Sequence, residues 1–111
     1  MAEHGEWNLK GASLTEETAC TEYRVAKEFI RDGIRDSKLE FRETSMWGNP
    51  VFKLLRSQVE GLIIERLGHD YLVEIKAQTE LRRINSEMNG LKRKLTALEK
   101  RKAEIRLSLK D

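Results

Sequence analysis

The chain has 111 residues, of which 36% are charged and 39% are hydrophobic, and its formal net charge is +2. Its single cysteine, Cys20, excludes an intrachain disulfide and a multi-cysteine zinc cluster, and it is expected to be a small buried thiol. No segment approaches the roughly 18 consecutive apolar residues of a membrane span, and the first residues lack the order of a signal peptide. We therefore expect a cytoplasmic protein with no membrane partner and no cofactor.

The charge is divided unevenly along the chain. Residues 1–68 hold ten lysines and arginines against twelve acidic residues, whereas residues 69–111 hold eleven against seven. A domain that binds nucleic acid usually carries the positive charge itself. The division therefore weighs against simple phosphate binding by the first part of the chain.

The first half of the chain predicts two short helices after a polar N-terminal arm, residues 1–12. Ser13 or Thr15 is positioned to cap a helix that runs to Tyr23, since acidic residues follow in its first turn. A second helix is predicted over residues 24–37, because apolar residues recur there at helical spacing. Gly33 lies within it, and indicates either a close contact or fraying near the helix end. Trp7 is expected to pack on the compact domain that residues 13–68 form.

A change of period after residue 38 predicts a β-hairpin. Leu39 and Phe41 alternate with charged residues, a turn is expected between Thr44 and Pro50, and residues 51–55 form the return strand. Trp47 is expected to pack under this turn rather than stack on a base. Residues 57–60 match a capping box and predict the start of a third helix. The apolar side chains of this helix are Val59, Leu62, Ile63 and Leu67, and Gly68 is expected to end it.

The last 40 residues predict a coiled-coil helix over residues 70–110, with Asp70 as its N-cap. Apolar residues repeat at alternating spacings of four and three, which places them on one seam of a helix that supercoils with a partner. Lys102 interrupts the seam. Its apolar members beyond Ala77 are Leu81, Ile84, Met88, Leu91, Leu95, Leu98, Ile105 and Leu109. We expect a homodimer through this seam.

The orientation of the two helices stays open at this point. In a parallel dimer, two flanking pairs attract and one repels, which weakly favours that arrangement. These pairs are Glu87 with Lys92, Lys94 with Glu99, and Arg101 with Arg106.

The order of elements in residues 13–68 resembles two families with a winged helix-turn-helix-like fold. The stretch over residues 30–39, the turn near Gly48 and the stretch over 55–60 resemble the MerR regulators and the phage excisionases. Thr18-Ala19, Glu22-Tyr23, Trp47-Gly48-Asn49 and Gln58-Val59 are similar to the xeroderma pigmentosum group A repair proteins. The resemblance implies a small DNA-binding head and, from MerR, an antiparallel coiled-coil dimer. The zinc-binding half of the repair family and the effector domain of MerR have no counterpart here.

The fold class predicted is mainly α: a winged head, residues 13–68, with one hairpin and then a long helix. In this fold the second helix enters the DNA groove and the hairpin contacts the backbone. The residues expected to contact DNA are Arg24, Lys27, Arg31 and Arg35 on the helix, with Arg42, Lys53 and Arg56 on or after the hairpin. Acidic residues alternate with the helical cations, which is also typical of a solvated surface helix.

We expect no enzymatic activity. The two histidines, His4 and His69, lack a second ligand at metal-binding spacing, and the chain has no phosphate-binding glycine loop and no nucleophile elbow. The sequence therefore favours a dimeric DNA-binding regulator or accessory factor. The alternative is a protein-interaction adaptor whose winged head docks a partner, which the acidic head favours.

Overall fold

The computed structural model describes residues 4–110. A short 3-10 turn at His4–Asn8 precedes seven regular elements. In chain order these are β1 (Ser13–Thr15), α1 (Glu16–Tyr23), α2 (Lys27–Arg35), β2 (Phe41–Met46), β3 (Asn49–Leu55), α3 (Arg56–Leu67) and α4 (His69–Lys110). The predicted fold class is confirmed: the chain is mainly helical, with a small antiparallel sheet and a long last helix.

The sheet has three strands, one more than the predicted hairpin. Strand β3 lies in the middle, with β1 and β2 antiparallel on either side. The additional strand β1 pairs Leu14 with Leu54, so the segment just before α1 closes one side of the hairpin. The N-terminal arm expected over residues 1–12 also contacts the head, because the carbonyl of Ala12 accepts a hydrogen bond from the amide of Arg56. Residues 1–3 lie outside the described residues.

The core of the head lies between α1, α2, α3, the inner face of the sheet and the first turns of α4. Tyr23, Ile30, Leu54, Val59 and Ile63 are almost wholly inaccessible. The predicted burial of Val59, Leu62 and Ile63 on α3 is confirmed, but Leu67 is 44% exposed.

Some helix ends lie where the sequence predicts them, and others do not. Thr15 caps α1 as predicted, since its side-chain oxygen accepts from the amide of Thr18 at 3.2 Å. The predicted capping box at residues 57–60 is wrong: α3 begins at Arg56, its N-cap is Leu55, and Ser57 donates to Glu6 at 2.6 Å. Gly68 ends α3 as expected, with a φ of 97°.

Helix α2 is shorter than predicted. It begins at Lys27, because Arg24 is the C-cap of α1, with a φ of 50°, and Ala26 is the N-cap of α2. Gly33 lies in close contact with neighbouring side chains, which is the first of the two interpretations of this glycine. A Cβ atom there would lie 2.5 Å from Cδ2 of Leu62 and 2.8 Å from Cδ1 of Leu39.

The chain divides into two compact units between Ala77 and Gln78, within α4. This boundary lies later than the predicted one at residues 68–70, since Leu72 and Ile75 of α4 are buried in the core of the first unit. The second unit is the remainder of α4. Every residue described from Glu80 to Lys110 is exposed except Gly90, which is half-buried.

Candidate nucleic-acid interface

The cations predicted on one helical stripe are divided between two elements. Lys27, Arg31 and Arg35 follow one another on α2 at intervals of four residues, which places them on one side of the helix. Arg24 lies before this helix, and its carbonyl accepts a hydrogen bond from the Tyr71 hydroxyl at 2.9 Å. The stripe on α2 therefore has three members instead of four.

Two of the three cations on α2 have acidic neighbours. The Nε of Arg31 lies 3.7 Å from a carboxylate oxygen of Glu16, whose side chain is only 13% exposed. Arg35 pairs with Asp32 on the same helix. Both arginine side chains remain well exposed. The pair of Arg35 with Asp32 is exposed and contributes little, so this guanidinium can exchange its carboxylate for a stronger anion. Glu16 is largely buried and would be left poorly solvated without Arg31, but the exposed guanidinium has further N–H donors for an anion.

The tip of the hairpin carries the most exposed aromatic side chain among the described residues. Trp47 is 97% exposed. Trp47 and Gly48 form the two-residue loop, with φ values of 57° and 82°, and the strands on both sides pair up to Met46 and Asn49. These angles are those of a tight hairpin turn, in which asparagine or glycine is usual and a bulky residue is an outlier. The expectation that Trp47 packs under the turn is wrong.

A groove of about 620 Å³ runs between α2, the start of α1 and the hairpin. Lys27 and Arg31 line it from α2, and Trp47, Asn49 and Phe52 line it from the hairpin. A smaller hollow of about 180 Å³ is lined by Arg31, Ile34, Phe41 and Phe52 among others. The groove thus combines two cations with aromatic side chains. That combination suits both the phosphates and the bases of a nucleic acid.

Aromatic surface continues from the groove along the sheet. The rings of Phe41 and Phe52 meet edge to face, with centroids 5.4 Å apart, and these residues are 49% and 41% exposed. The groove also has an acidic side, because Glu16 and Glu17 line it at the start of α1. Such a mixed lining also suits a peptide with an apolar side chain.

The other predicted hairpin cations lie away from the groove. Arg42 and Lys53 are paired residues of β2 and β3, and strand alternation places them on the face opposite Phe52. The guanidinium of Arg42 lies 4.5 Å from the ring centroid of Trp7. This contact agrees with the expectation that Trp7 lies on the head, and it makes Arg42 part of a packed surface.

Arg56 belongs to a hydrogen-bond network inside the head. Its Nη1 donates to Glu22 at 2.5 Å and to the Tyr23 hydroxyl at 2.9 Å, and its Nε donates to the carbonyl of Gly11 at 3.1 Å. The hydrogen bond to Glu22 is the main cause that raises the pKa of Arg56. We therefore leave Arg56 out of the candidate interface. Sequence reasoning missed this network, because its members are far apart along the chain.

The Tyr23 hydroxyl is the centre of that network. It donates to Glu60 at 2.5 Å, and Tyr23 is 2% exposed. Burial, followed by the hydrogen bond to Glu60, raises the pKa of Tyr23 well above its ordinary value. Cys20 packs beside this core and is half-buried, and burial also raises the pKa of its thiol.

Comparisons of the chain with protein-family models, curated proteins and solved structures found no match. Among residues 4–110, no three histidine, cysteine or acidic side chains are grouped so that they could hold a metal ion. The helices described include none with the length and apolar character needed to cross a membrane.

Proposed function

We propose that this protein is a dimeric, non-enzymatic DNA-binding protein, acting as a small regulator or accessory factor. The observation that carries the proposal is the exposure of Trp47 at 97%, in the same groove as Lys27 and Arg31. An indole held in water on a tight turn gains free energy when a flat, weakly hydrated partner covers it. Sugars and base edges in a groove are such partners, and stacking on a base that is unpaired is worth roughly 1–3 kcal/mol.

In this proposal, the cations and the tryptophan of the groove contact different parts of the DNA. Lys27 and Arg31 contact phosphate oxygens, and Trp47 covers a base or sugar at the edge of the contact. Because the Arg31 side chain is 65% exposed and a guanidinium has several N–H donors, Arg31 binds a phosphate on its solvent side while its Nε stays beside Glu16. We propose a cytoplasmic location, in keeping with the single cysteine of the chain.

The groove cations and Trp47 can be tested by fluorescence anisotropy with labelled duplex DNA at two salt concentrations. We expect Lys27→Glu with Arg31→Glu to weaken binding at least about 100-fold at low salt, because two phosphate contacts become repulsions. The matched comparison is between the single variants Arg31→Glu and Lys10→Glu, which change the net charge equally; Lys10 is exposed and lies outside the groove, so its reversal should change affinity about threefold at most. Equal losses in the two variants would contradict the proposed interface.

Tryptophan fluorescence gives a second, local measurement. The chain has two tryptophans, so Trp7→Phe leaves Trp47 as the only emitter. DNA should quench its emission by stacking, and Trp47→Ala in the otherwise native chain should weaken binding about tenfold or more. Binding without any change in Trp47 emission would show that the hairpin tip does not contact the DNA.

The alternative function, a protein-docking adaptor, is favoured by a different observation. Glu16 and Glu17 share the groove with Phe52, and the first compact unit holds fourteen acidic residues against eleven basic ones. An apolar peptide with a basic residue would complement this lining. Absence of salt-dependent DNA binding in the native protein would favour this function.

A further inference from the structure

The seam of α4 lies open along its whole length in the second unit. Its apolar side chains are between 39% and 81% exposed, although α4 is unbroken. Soluble proteins seldom leave such a continuous apolar stripe uncovered, and a stripe of this spacing is covered by another helix. We propose that a second copy covers its stretch from Leu81 to Leu98 in antiparallel orientation, in the register that pairs Leu81 with Leu98.

In this register, the two copies contact each other through the uninterrupted stretch of the seam from Leu81 to Leu98. When Leu81 of one copy lies opposite Leu98 of the other, the neighbouring positions also match. Ile84 then lies opposite Leu95, and Met88 opposite Leu91. Because each pair occurs twice about the two-fold axis, the dimer has six consecutive apolar layers. Lys102, Ile105 and Leu109 lie beyond the last of them, at the levels of Ala77, Glu74 and Asp70 of the other copy.

A parallel dimer in register is destabilised by Lys102. It would place Lys102 of one copy against Lys102 of the other within the seam, where desolvated like charges repel. It would also face Arg101 with Arg106 at the flanks. The antiparallel register avoids both contacts.

The flanking charges are complementary in the same register. In an antiparallel pair of helices, the residues that directly precede Leu81, Met88, Leu95 and Lys102 (the a positions of the heptads) face one another across the seam. Here they pair Glu80 with Arg101 and Glu87 with Lys94, and each pair occurs twice. On the other flank, Lys92 lies opposite the uncharged Asn85, so this pair does not oppose the four attractions.

In the single chain, two of these charged residues form exposed ion pairs within their own helix. Glu80 bonds Arg83 at 2.5 Å and Arg101 bonds Glu104 at 3.5 Å, in both cases along the helix surface. Exposed pairs of this kind contribute little, so they can be exchanged for pairs across the seam. Twelve seam side chains would bury roughly 1,000 Å², which is near the lower end for a specific complex.

The inference rests on the dimer of the proposed function but not on its DNA binding, so the two can fail separately. Its first test is a charge exchange in the full chain, with the dimer dissociation constant measured by analytical ultracentrifugation. Glu87→Lys should weaken the dimer about tenfold, because it places lysine opposite Lys94 twice. Adding Lys94→Glu should restore the native constant to within about threefold.

The double variant distinguishes the orientations. In a parallel dimer, Lys94→Glu would face Glu99 and Glu87→Lys would face Lys92, so the second change would weaken the dimer further. Failure of the second change to restore affinity would therefore overturn the proposed register. A native chain that remains monomeric at high micromolar concentration would overturn the dimer itself.

Disulfide trapping provides an independent test in a Cys20→Ser background. Leu81→Cys and Leu98→Cys should link to each other when the two proteins are mixed and oxidised. Neither should link to itself within a dimer, because the two copies of position 81 lie about 25 Å apart along the axis. Self-linkage of each variant would show a parallel dimer, and linkage of Leu81→Cys to Ile105→Cys in preference to Leu98→Cys would show another register. Either result overturns the proposal.

Discussion

At the scale of single residues, Gly33 shows how closely α2 approaches its neighbours. Because a Cβ atom there would lie 2.5 Å from Leu62 and 2.8 Å from Leu39, one of these side chains must move to accept alanine. Overpacking of this kind costs about 1–3 kcal/mol, which exceeds the gain of about 1 kcal/mol in helix propensity. We predict that Gly33→Ala lowers the free energy of unfolding, as measured by urea denaturation.

The control for Gly33→Ala is Gly61→Ala. Gly61 also lies inside a helix, α3, but a Cβ atom there would meet nothing within 4 Å. The same substitution should therefore stabilise the protein by up to about 1 kcal/mol. If both variants changed stability in the same direction, the close approach at Gly33 would not be the controlling contact.

Trp47 marks a limit of residue-level prediction. A tryptophan beside a Gly-Asn-Pro turn signal usually packs, and only the pairing of Met46 with Asn49 shows that it occupies the first position of a two-residue loop. That pairing depends on how far the strands extend, which the alternation of apolar residues does not reveal beyond Phe41. The two cations that share its groove, Lys27 and Arg31, were predicted from helical spacing.

At the scale of elements, the Tyr23 hydroxyl links α1 to α3 through Glu60 and Arg56. Its pKa is raised in the folded state, so the folded protein keeps a proton that the unfolded chain loses above about pH 10. This contribution to stability is complete below about pH 10 and is lost as the pH rises further. Phenylalanine cannot titrate. We therefore predict that the free energy of unfolding of Tyr23→Phe falls less above about pH 10 than that of the native protein.

The measurement is urea denaturation between about pH 8 and pH 11. Tyr23→Phe should be less stable by about 1 kcal/mol near neutral pH, because its hydrogen bonds are lost. Its stability should then fall less steeply than that of the native protein above pH 10. Parallel curves for the two proteins would contradict a raised pKa at Tyr23.

Prediction of the elements succeeded where periodicity was long and failed where it was short. Helices α2, α3 and α4 follow from apolar residues at helical spacing, whereas α1 was predicted from its cap and the hairpin from a short alternation with a turn signal. Strand β1 has three residues, Ser13–Thr15, too few for alternation to appear, and it exists because β3 offers it a backbone partner. The predicted capping box at Ser57 is wrong because α3 begins two residues earlier, with Leu55 as its N-cap, and Ser57 instead donates to Glu6.

At the scale of the whole molecule, the seam of α4 predicts self-association. We expect Leu95→Asp to give a monomer in light scattering at concentrations where the native chain is a dimer, because it places carboxylates among apolar layers. Helical circular dichroism should fall as well, since a lone solvated helix of this kind is only marginally stable.

Leu107→Asp is the matched control for Leu95→Asp. Leu107 is 66% exposed and Leu95 is 58% exposed, so the two differ little in the single chain. Leu107 lies on the side of the helix away from the seam. The dimer should therefore survive Leu107→Asp, and loss of the dimer in both variants would place the interface elsewhere.

The position of β1 beside β3 has a consequence for any shortened form of the protein. A fragment that begins after Thr15 would uncover backbone donors and acceptors of β3, in a segment that contains the apolar pair Leu54 and Leu55. Unpaired strand edges recruit strands from other molecules, and short edges and charged residues normally prevent this. Such a fragment would be prone to aggregate by edge-to-edge pairing, whereas the intact chain protects that edge with three of its own residues.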